Sequence, residues 1–356
     1  MGPGAGTATT MMTKDFSYLL RPEIYHQLSA LTVPAAFRES SHQPAPDTTI
    51  DELLAGGHFR AAAIAAVQAL TSATAPVDPT DHARIFKLLY TRLACLCLAD
   101  ATSLAAQEAK ALEDLNSAFY VDAETSAHLV PWDLRVLAVR LQTIGFGDPR
   151  RAVMSYYELA REARAAVARA ARGPDPDRAA ARLWDTRLAD LGVRVAGALI
   201  EMDDLAGAAE HLSTLGAGSG ADADGGLAMS RALMWLHLGD VEAARRCIGG
   251  DAGSRHAKVV EALADMADGD YEAALRKWRA LQTVMEEGGE EAEGTKIHDE
   301  MVGVNLAVCL LYVGRMEEVS FSFLYLPKSI RPCLPECPAW LMTRLLSRGE
   351  ISWKGL

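Results

Sequence analysis

The sequence predicts an all-α protein built from helical hairpins, and three observations lead there. Half of the 356 residues are hydrophobic, alanine dominates that set, and aromatics make up 6%. Alanine loses no side-chain entropy in a helix, and its small size lets helix backbones approach closely. The second observation is a Gly/Asp turn, recurring along the chain, with a small residue five positions later. The third is another small residue seven positions before several of these turns.

Residues 1–13 are Gly, Ala, Thr and Met without periodicity, a composition expected to be disordered. Phe16, Leu19, Leu20, Ile24, Tyr25 and Leu28 then make a short amphipathic segment, interrupted by Arg21-Pro22, where proline can only begin a new helical turn. Val33-Pro34 and the stretch 44–47 read as a connector. Residues 1–48 are therefore expected to be an arm. Its apolar segment either docks on a partner or folds back to cap the first repeat.

From Thr49 to Glu318 the chain reads as helix after helix. The turns are Gly57 with Ala62, Gly147-Asp148 with Ala152, Gly239-Asp240 with Ala244, and Gly269-Asp270 with Ala274. Gly314-Arg315, Asp203-Asp204 with Ala208, and Ala99-Asp100 are looser versions. The upstream partners are Ala196, Ala232, Ala262 and Ala307. A glycine can take the left-handed conformation that ends one helix, and an aspartate can cap the next. Small residues at fixed offsets on the two antiparallel helices then let them cross closely.

That contact is the packing signature of a tetratricopeptide (TPR) hairpin, whose period is ~34 residues. The turns at 239 and 269 are 30 residues apart and the others 36 to 56 apart. The predicted fold is therefore an irregular TPR-like helical-hairpin superhelix over residues 49–318, with extended helices or inserted loops. Residues 254–285 make the most regular unit, with Tyr271, Ala274, Trp278 and Leu281 in the aromatic, small, aromatic and apolar slots of its second helix. Breaks are expected at 73–81, 172–177 and the glycine-rich 215–226, and 286–293 reads as an acidic, solvated insertion. Residues 319–356, with prolines and cysteines at Pro332, Cys333, Pro335, Cys337 and Pro338, read as a divergent tail.

The net charge of −12 and pI of about 5.3 set the whole-molecule field against phosphate backbones, so no nucleic-acid partner is expected. The most basic stretch carries Arg161, Arg164, Arg169, Arg172, Arg178, Arg182 and Arg187 at roughly helical spacing. Such spacing usually marks a solvated face; a partner contact or an acidic membrane surface is the sharper alternative. Apolar runs such as 302–313 are shorter than the ~20 residues a bilayer requires, so any membrane association is expected to be peripheral. The six cysteines come without a secretory leader and are expected to be reduced, cytoplasmic thiols.

No phosphate-loop, zinc-protease or nucleophile-elbow motif occurs, and no catalytic residue, cofactor or metal ligand is nominated. Cys95 and Cys97 lie two apart in an apolar helix and point about 200° from one another, which disfavours shared ligation. Cys333 and Cys337 sit among three prolines with no histidine at finger spacing. The Asp222 to Gly225 run lacks the remaining ligands of a calcium loop. Asn305 occupies a position from which some TPR modules grip a terminal carboxylate, but Ser230 and Val260 hold the corresponding places in the two preceding units.

Four segments in order are LLAGGHFRAA at 53–62, VPWDLRVL at 130–137, RLWDTRL at 182–188 and NLAVCLLYVG at 305–314. Together they resemble the TPR-bearing twelfth subunit of the TRAPP (trafficking protein particle) vesicle-tethering complexes, over about residues 50–318. The resemblance implies a non-catalytic scaffold that helps define the TRAPP III form, with other TRAPP subunits as its partners. The complex exchanges nucleotide on a Rab-family GTPase in ER-to-Golgi transport and autophagy. This chain would act only indirectly on that GTPase, at the cytoplasmic face of ER–Golgi intermediate and Golgi membranes. After Glu318 the sequence departs from the family pattern of further helices. The alternative reading is a general TPR adaptor for peptides or protein partners in chaperone or transport machinery.

Overall fold

The computed structural model describes residues 14–29, 33, 38, 43–125, 127–172, 177–215, 226–249, 253–287 and 295–318. Readings that fall on 1–13, on the 222–225 run, on most of 286–293 and on the tail with Cys333 and Cys337 lie outside the described residues. The fold is all-α. The extended pairing among the described residues is a single antiparallel bridge between Val121 and His128. The chain divides into two compact units, Met1–Ser29 with Pro44–Asp148, and Ala30–Gln43 with Pro149–Leu356. The boundary at 148/149 falls inside the stretch expected to be one repeat domain, at a Gly-Asp turn like those within the units.

The first unit holds α1 (Ile50–Ala55), α2 (Phe59–Thr71), α3 (His82–Leu98), α4 (Thr102–Ala109) and α5 (Trp132–Phe146). Thr49 opens α1 with a reciprocal capping box to Glu52, and Asp81 caps α3 through the Arg84 amide. Successive helices pack on one another, α1 on α2, α2 on α3, α3 on α4 and α4 on α5. Gly145 shows how closely α4 and α5 approach: a Cβ there would lie 2.1 Å from the Ala106 Cβ.

The second unit holds α6 (Pro149–Ala170), α7 (Arg178–Glu201), α8 (Leu205–Thr214), α9 (Gly226–Leu238) and α10 (Val241–Ile248), followed by α11 (Arg255–Ala267), α12 (Tyr271–Glu287) and α13 (Thr295–Val313). Helix α6 packs along α7, α7 on α8 and α9, α9 on α10 and α11, α11 on α12, and α12 on α13. Trp278, Leu275, Leu281, Val302, Leu306 and Leu310 are prominent in the largest apolar cluster of this unit.

The turns between helices share one piece of chemistry. Gly57, Gly147, Gly239, Gly269 and Gly314 have φ between 66° and 85°, in the left-handed region that favours glycine. At Gly239, Gly269 and Gly314 the next residue's N–H reaches back to the carbonyl five positions earlier: Asp240 to Trp235, Asp270 to Asp265 and Arg315 to Leu310. That bond closes a Schellman motif. The same aspartates then accept the Ala243 and Ala273 amides, at 2.8 and 2.9 Å, and so cap the following helix. Gly-Asp thus ends one helix and starts the next.

Asp203 and Asp100 occupy the glycine position of their turns with φ of 63° and 60°. A left-handed conformation costs any residue with a Cβ some energy, least for Asn and Asp. Replacing Asp203 by glycine is therefore expected to stabilise the second unit by roughly 0.5–1 kcal/mol. Urea denaturation checks this, and a loss of stability would mean that the Asp203 side chain contributes more than its backbone strain costs.

Residues 14–29 fold back onto the first unit. Phe16 and Leu19 are completely buried and Tyr25 nearly so, in the core of the first unit with Phe86, Leu89 and Leu93 of α3. Tyr18, Leu20, Ile24 and Leu28 pack around the same cluster. Two short 3-10 turns, Ser17–Leu20 and Pro22–Ile24, aim these side chains inward, and Pro22 begins the second turn where its missing N–H costs nothing.

Candidate interaction surfaces

Each small residue read as a packing contact is buried. Ala62, Ala152, Ala196, Ala208, Ala232, Ala244, Ala262, Ala274 and Ala307 have no exposed surface, and neither does Trp278. Tyr271 is half-buried and stacks on Tyr312 of α13, rings nearly parallel with centroids 4.2 Å apart. These positions serve the hairpins themselves and leave the outer faces of the helices to carry any contact with a partner.

The segment nominated for partner docking is held within its own chain. The Phe16 amide donates to the Pro79 carbonyl at 2.9 Å, and its ring meets Phe86 and Phe119 edge-on at 5.1 and 5.3 Å. The Tyr18 and Tyr120 hydroxyls share a hydrogen bond of 2.7 Å, and the Tyr25 hydroxyl donates to the Leu19 carbonyl at 2.7 Å. Burial pushes the Tyr25 and Tyr120 phenols well above their ordinary range, so both act as neutral donors.

Beneath this segment lies a buried ion pair that the sequence did not reveal. Arg92 of α3 donates from Nε and Nη2 to the two carboxylate oxygens of Glu108 of α4, at 2.9 and 2.7 Å. Both side chains are closed off from water. Nη1 also donates to the Ala63 carbonyl of α2 at 3.2 Å and Nη2 to the His26 carbonyl at 2.7 Å, while the His26 amide donates to Glu108 at 2.8 Å. One guanidinium and one carboxylate therefore tie together α2, α3, α4 and the N-terminal segment. Their spacing of 16 residues gives no local signal, because the pairing exists only once the helices have packed.

A second charge network braces α10, α11 and α12. Arg245 reaches Asp268 at 2.7 Å, Asp265 at 3.3 Å and Glu261 at 3.7 Å, while Lys277 reaches Asp265 at 2.8 Å and Glu261 at 3.2 Å. The hydrogen bond that Arg245 donates to Asp268 is the chief cause raising the Arg245 pKa. At Lys277 burial acts to lower the pKa, and the paired Asp265 and Glu261 more than offset it. Opposite charges meet one another inside the chain here, so the network is a brace between hairpins.

The four described thiols are poorly suited to nucleophilic work. Burial pushes Cys95 up to about 11 and Cys309 up to about 12, and raises Cys97 and Cys247 as well, so all four stay protonated at neutral pH. Among the described residues no three His, Cys, Asp or Glu side chains are placed to hold a metal ion. Asn305 is buried and donates to the Met301 carbonyl of its own helix at 2.9 Å, so its amide is not presented to a peptide.

Exposed apolar side chains lie on both units, among them Leu98 and Phe146 on the first and Met154, Leu183 and Tyr312 on the second. The basic stretch spans the end of α6 and the start of α7. Arg164, Arg169, Arg172, Arg178 and Arg182 are exposed there and form no ion pair among the described residues. No helix among the described residues is long and apolar enough to cross a membrane. No family model matches the chain, and no curated protein or solved structure matches it either.

Proposed function

We propose that the chain is a non-catalytic scaffold that works by presenting helical hairpins to protein partners. More specifically, we propose a subunit of a TRAPP III-type tethering complex acting with a Rab-family GTPase in ER-to-Golgi transport and autophagy. The observation that carries the scaffold reading is the repeated turn: a left-handed residue, a Schellman bond and a buried alanine on each side, at several places in one chain. Such units are built for side-by-side packing and leave their outer faces to partners.

The finer reading rests on the four ordered sequence segments. All four contribute to helices of the two units: 53–62 joins α1 to α2, 130–137 opens α5, 182–188 lies in α7 and 305–314 closes α13. Buried Leu53, Ala62, Val130, Leu134, Leu306, Ala307 and Leu310 come from three of them. Exchange chemistry would belong to the other subunits of the assembly. The test is size-exclusion chromatography of the purified full chain mixed with the purified small TRAPP subunits. Co-elution as a stable complex is expected, and separate elution at micromolar concentration would reject the assignment.

A further inference from the structure

Residues 14–29 lie on the first unit in the manner of a bound peptide. Of these 16 residues only Phe16, Leu19 and Tyr25 are buried, and eight are exposed, with Arg21, Pro22 and Glu23 consecutive among them. The segment has two 3-10 turns and contributes to no α-helix or strand. Its three buried side chains act as pegs, in one cluster with Phe86, Leu89 and Leu93 of α3 and with Tyr120. Its polar ties to the rest of the unit are local: the Phe16 amide on the Pro79 carbonyl at 2.9 Å, the Lys14 ammonium on the Ala118 carbonyl at 3.1 Å, and the Tyr18 hydroxyl on Tyr120 at 2.7 Å.

At His26 the body of the unit reads main chain. Glu108 accepts the His26 amide at 2.8 Å and Arg92 donates to the His26 carbonyl at 2.7 Å, whereas the exposed imidazole comes no closer to Glu108 than 3.5 Å. A fixed acceptor beside a fixed donor matches the N–H and C=O that any peptide residue carries. The clamp stays whole without the segment, because Arg92 and Glu108 hold each other at 2.9 and 2.7 Å and Arg92 also holds the Ala63 carbonyl. Departure of the segment therefore strands no buried charge, and the side chains of α3 that it uncovers, Phe86, Leu89 and Leu93, are apolar.

We infer that this part of the first unit is a peptide-binding site, filled by the chain's own residues 14–29, and that it also accepts the same segment from a second copy of the chain. A small apolar ligand could take the places of the pegs, but it would leave the clamp at His26 unused, which favours a peptide. The second copy fits by identity, since exchanging one segment for the other keeps every contact in kind. The covalent tether decides between them, because it holds the chain's own segment at a roughly millimolar effective concentration. The site is thus closed to other copies while its own segment is intact, and it opens to them when that segment is weakened or cut. The inference stands whether or not the chain is a TRAPP subunit.

The test is fluorescence polarisation with a labelled synthetic peptide of residues 14–29. The parent chain is expected to bind it weakly, because the tethered segment competes. Phe16→Ala with Leu19→Ala in the full chain removes two pegs from the tethered segment and nothing from the site, so this variant should bind the peptide at least about a hundredfold more tightly than the parent. A peptide carrying the same two substitutions should bind neither chain. Bound peptide should also return the variant's circular-dichroism melt towards that of the parent. If the variant does not fold, the parent chain with a protease site inserted between residues 33 and 38 is folded, cut and diluted into labelled peptide, which should replace the cut segment. No tightening in the folded variant, no uptake by the cut chain, or uptake indifferent to the two substitutions overturns the inference. So does unfolding of the parent chain on cutting, which would make residues 14–29 an inseparable part of the core.

Discussion

Replacing Arg92 with methionine is expected to destabilise the first unit by about 3–5 kcal/mol, although the new side chain is of similar length and fully compatible with a helix. The loss comes from what remains behind. The Glu108 carboxylate would stay buried without its partner, and the Ala63 and His26 carbonyls would lose their donor. Chemical denaturation measures the change. Hydrogen exchange at the Leu19 and Tyr25 amides should rise with it, because the N-terminal segment hangs on the same guanidinium through His26. Replacing Glu108 with leucine in the same chain should restore most of the stability, since removing both charges takes away the unpaired ion. A loss below about 1 kcal/mol for Arg92→Met would place the pair in contact with water, as for surface ion pairs.

Trp278→Ala is expected to cost about 3–5 kcal/mol in the second unit. The indole is wholly buried between α11, α12 and α13, among Met266, Leu275, Leu306 and Leu310, and its Nε1 donates to the Met266 sulfur at 3.3 Å. Truncation removes the largest fully buried side chain of the described residues and leaves a cavity that three packed helices cannot close without moving. Trp278→Phe, which keeps most of the volume and loses the N–H, should cost less than half as much. Limited proteolysis at residues 271–287 reads the effect locally. Resistance equal to the parent chain would show that these helices do not depend on the indole.

The turns were readable in the sequence because their geometry restricts residue choice at the backbone. Few residues other than glycine tolerate φ near 80°, so Gly239, Gly269 and Gly314 mark helix ends without any knowledge of tertiary structure. The buried alanines follow by their fixed offsets from those turns. Other features depend on which surfaces meet. The pattern of Phe16, Leu19 and Tyr25 says that one face of the segment must be covered, and it does not say by what; α3 of the same chain does so. Arg92 and Glu108 look in sequence like any exposed charges, because their burial is a property of four packed segments. The division at 148/149 carries no mark in the sequence, since Gly147-Asp148 repeats the residue pair of the turns at 239 and 269 inside the second unit. At 161–187 the spacing showed the helices, whereas only the fold shows which of the arginines are exposed and form no ion pair among the described residues, namely Arg164, Arg169, Arg172, Arg178 and Arg182.

The scaffold reading is tested most directly by the set of proteins recovered with the full chain when it is affinity-purified from cells of its source and identified by mass spectrometry. The expected result is the small TRAPP subunits, in fixed proportion to the chain and stable to a salt wash. Recovery of the chain alone, or with chaperones and no TRAPP subunit, would contradict it.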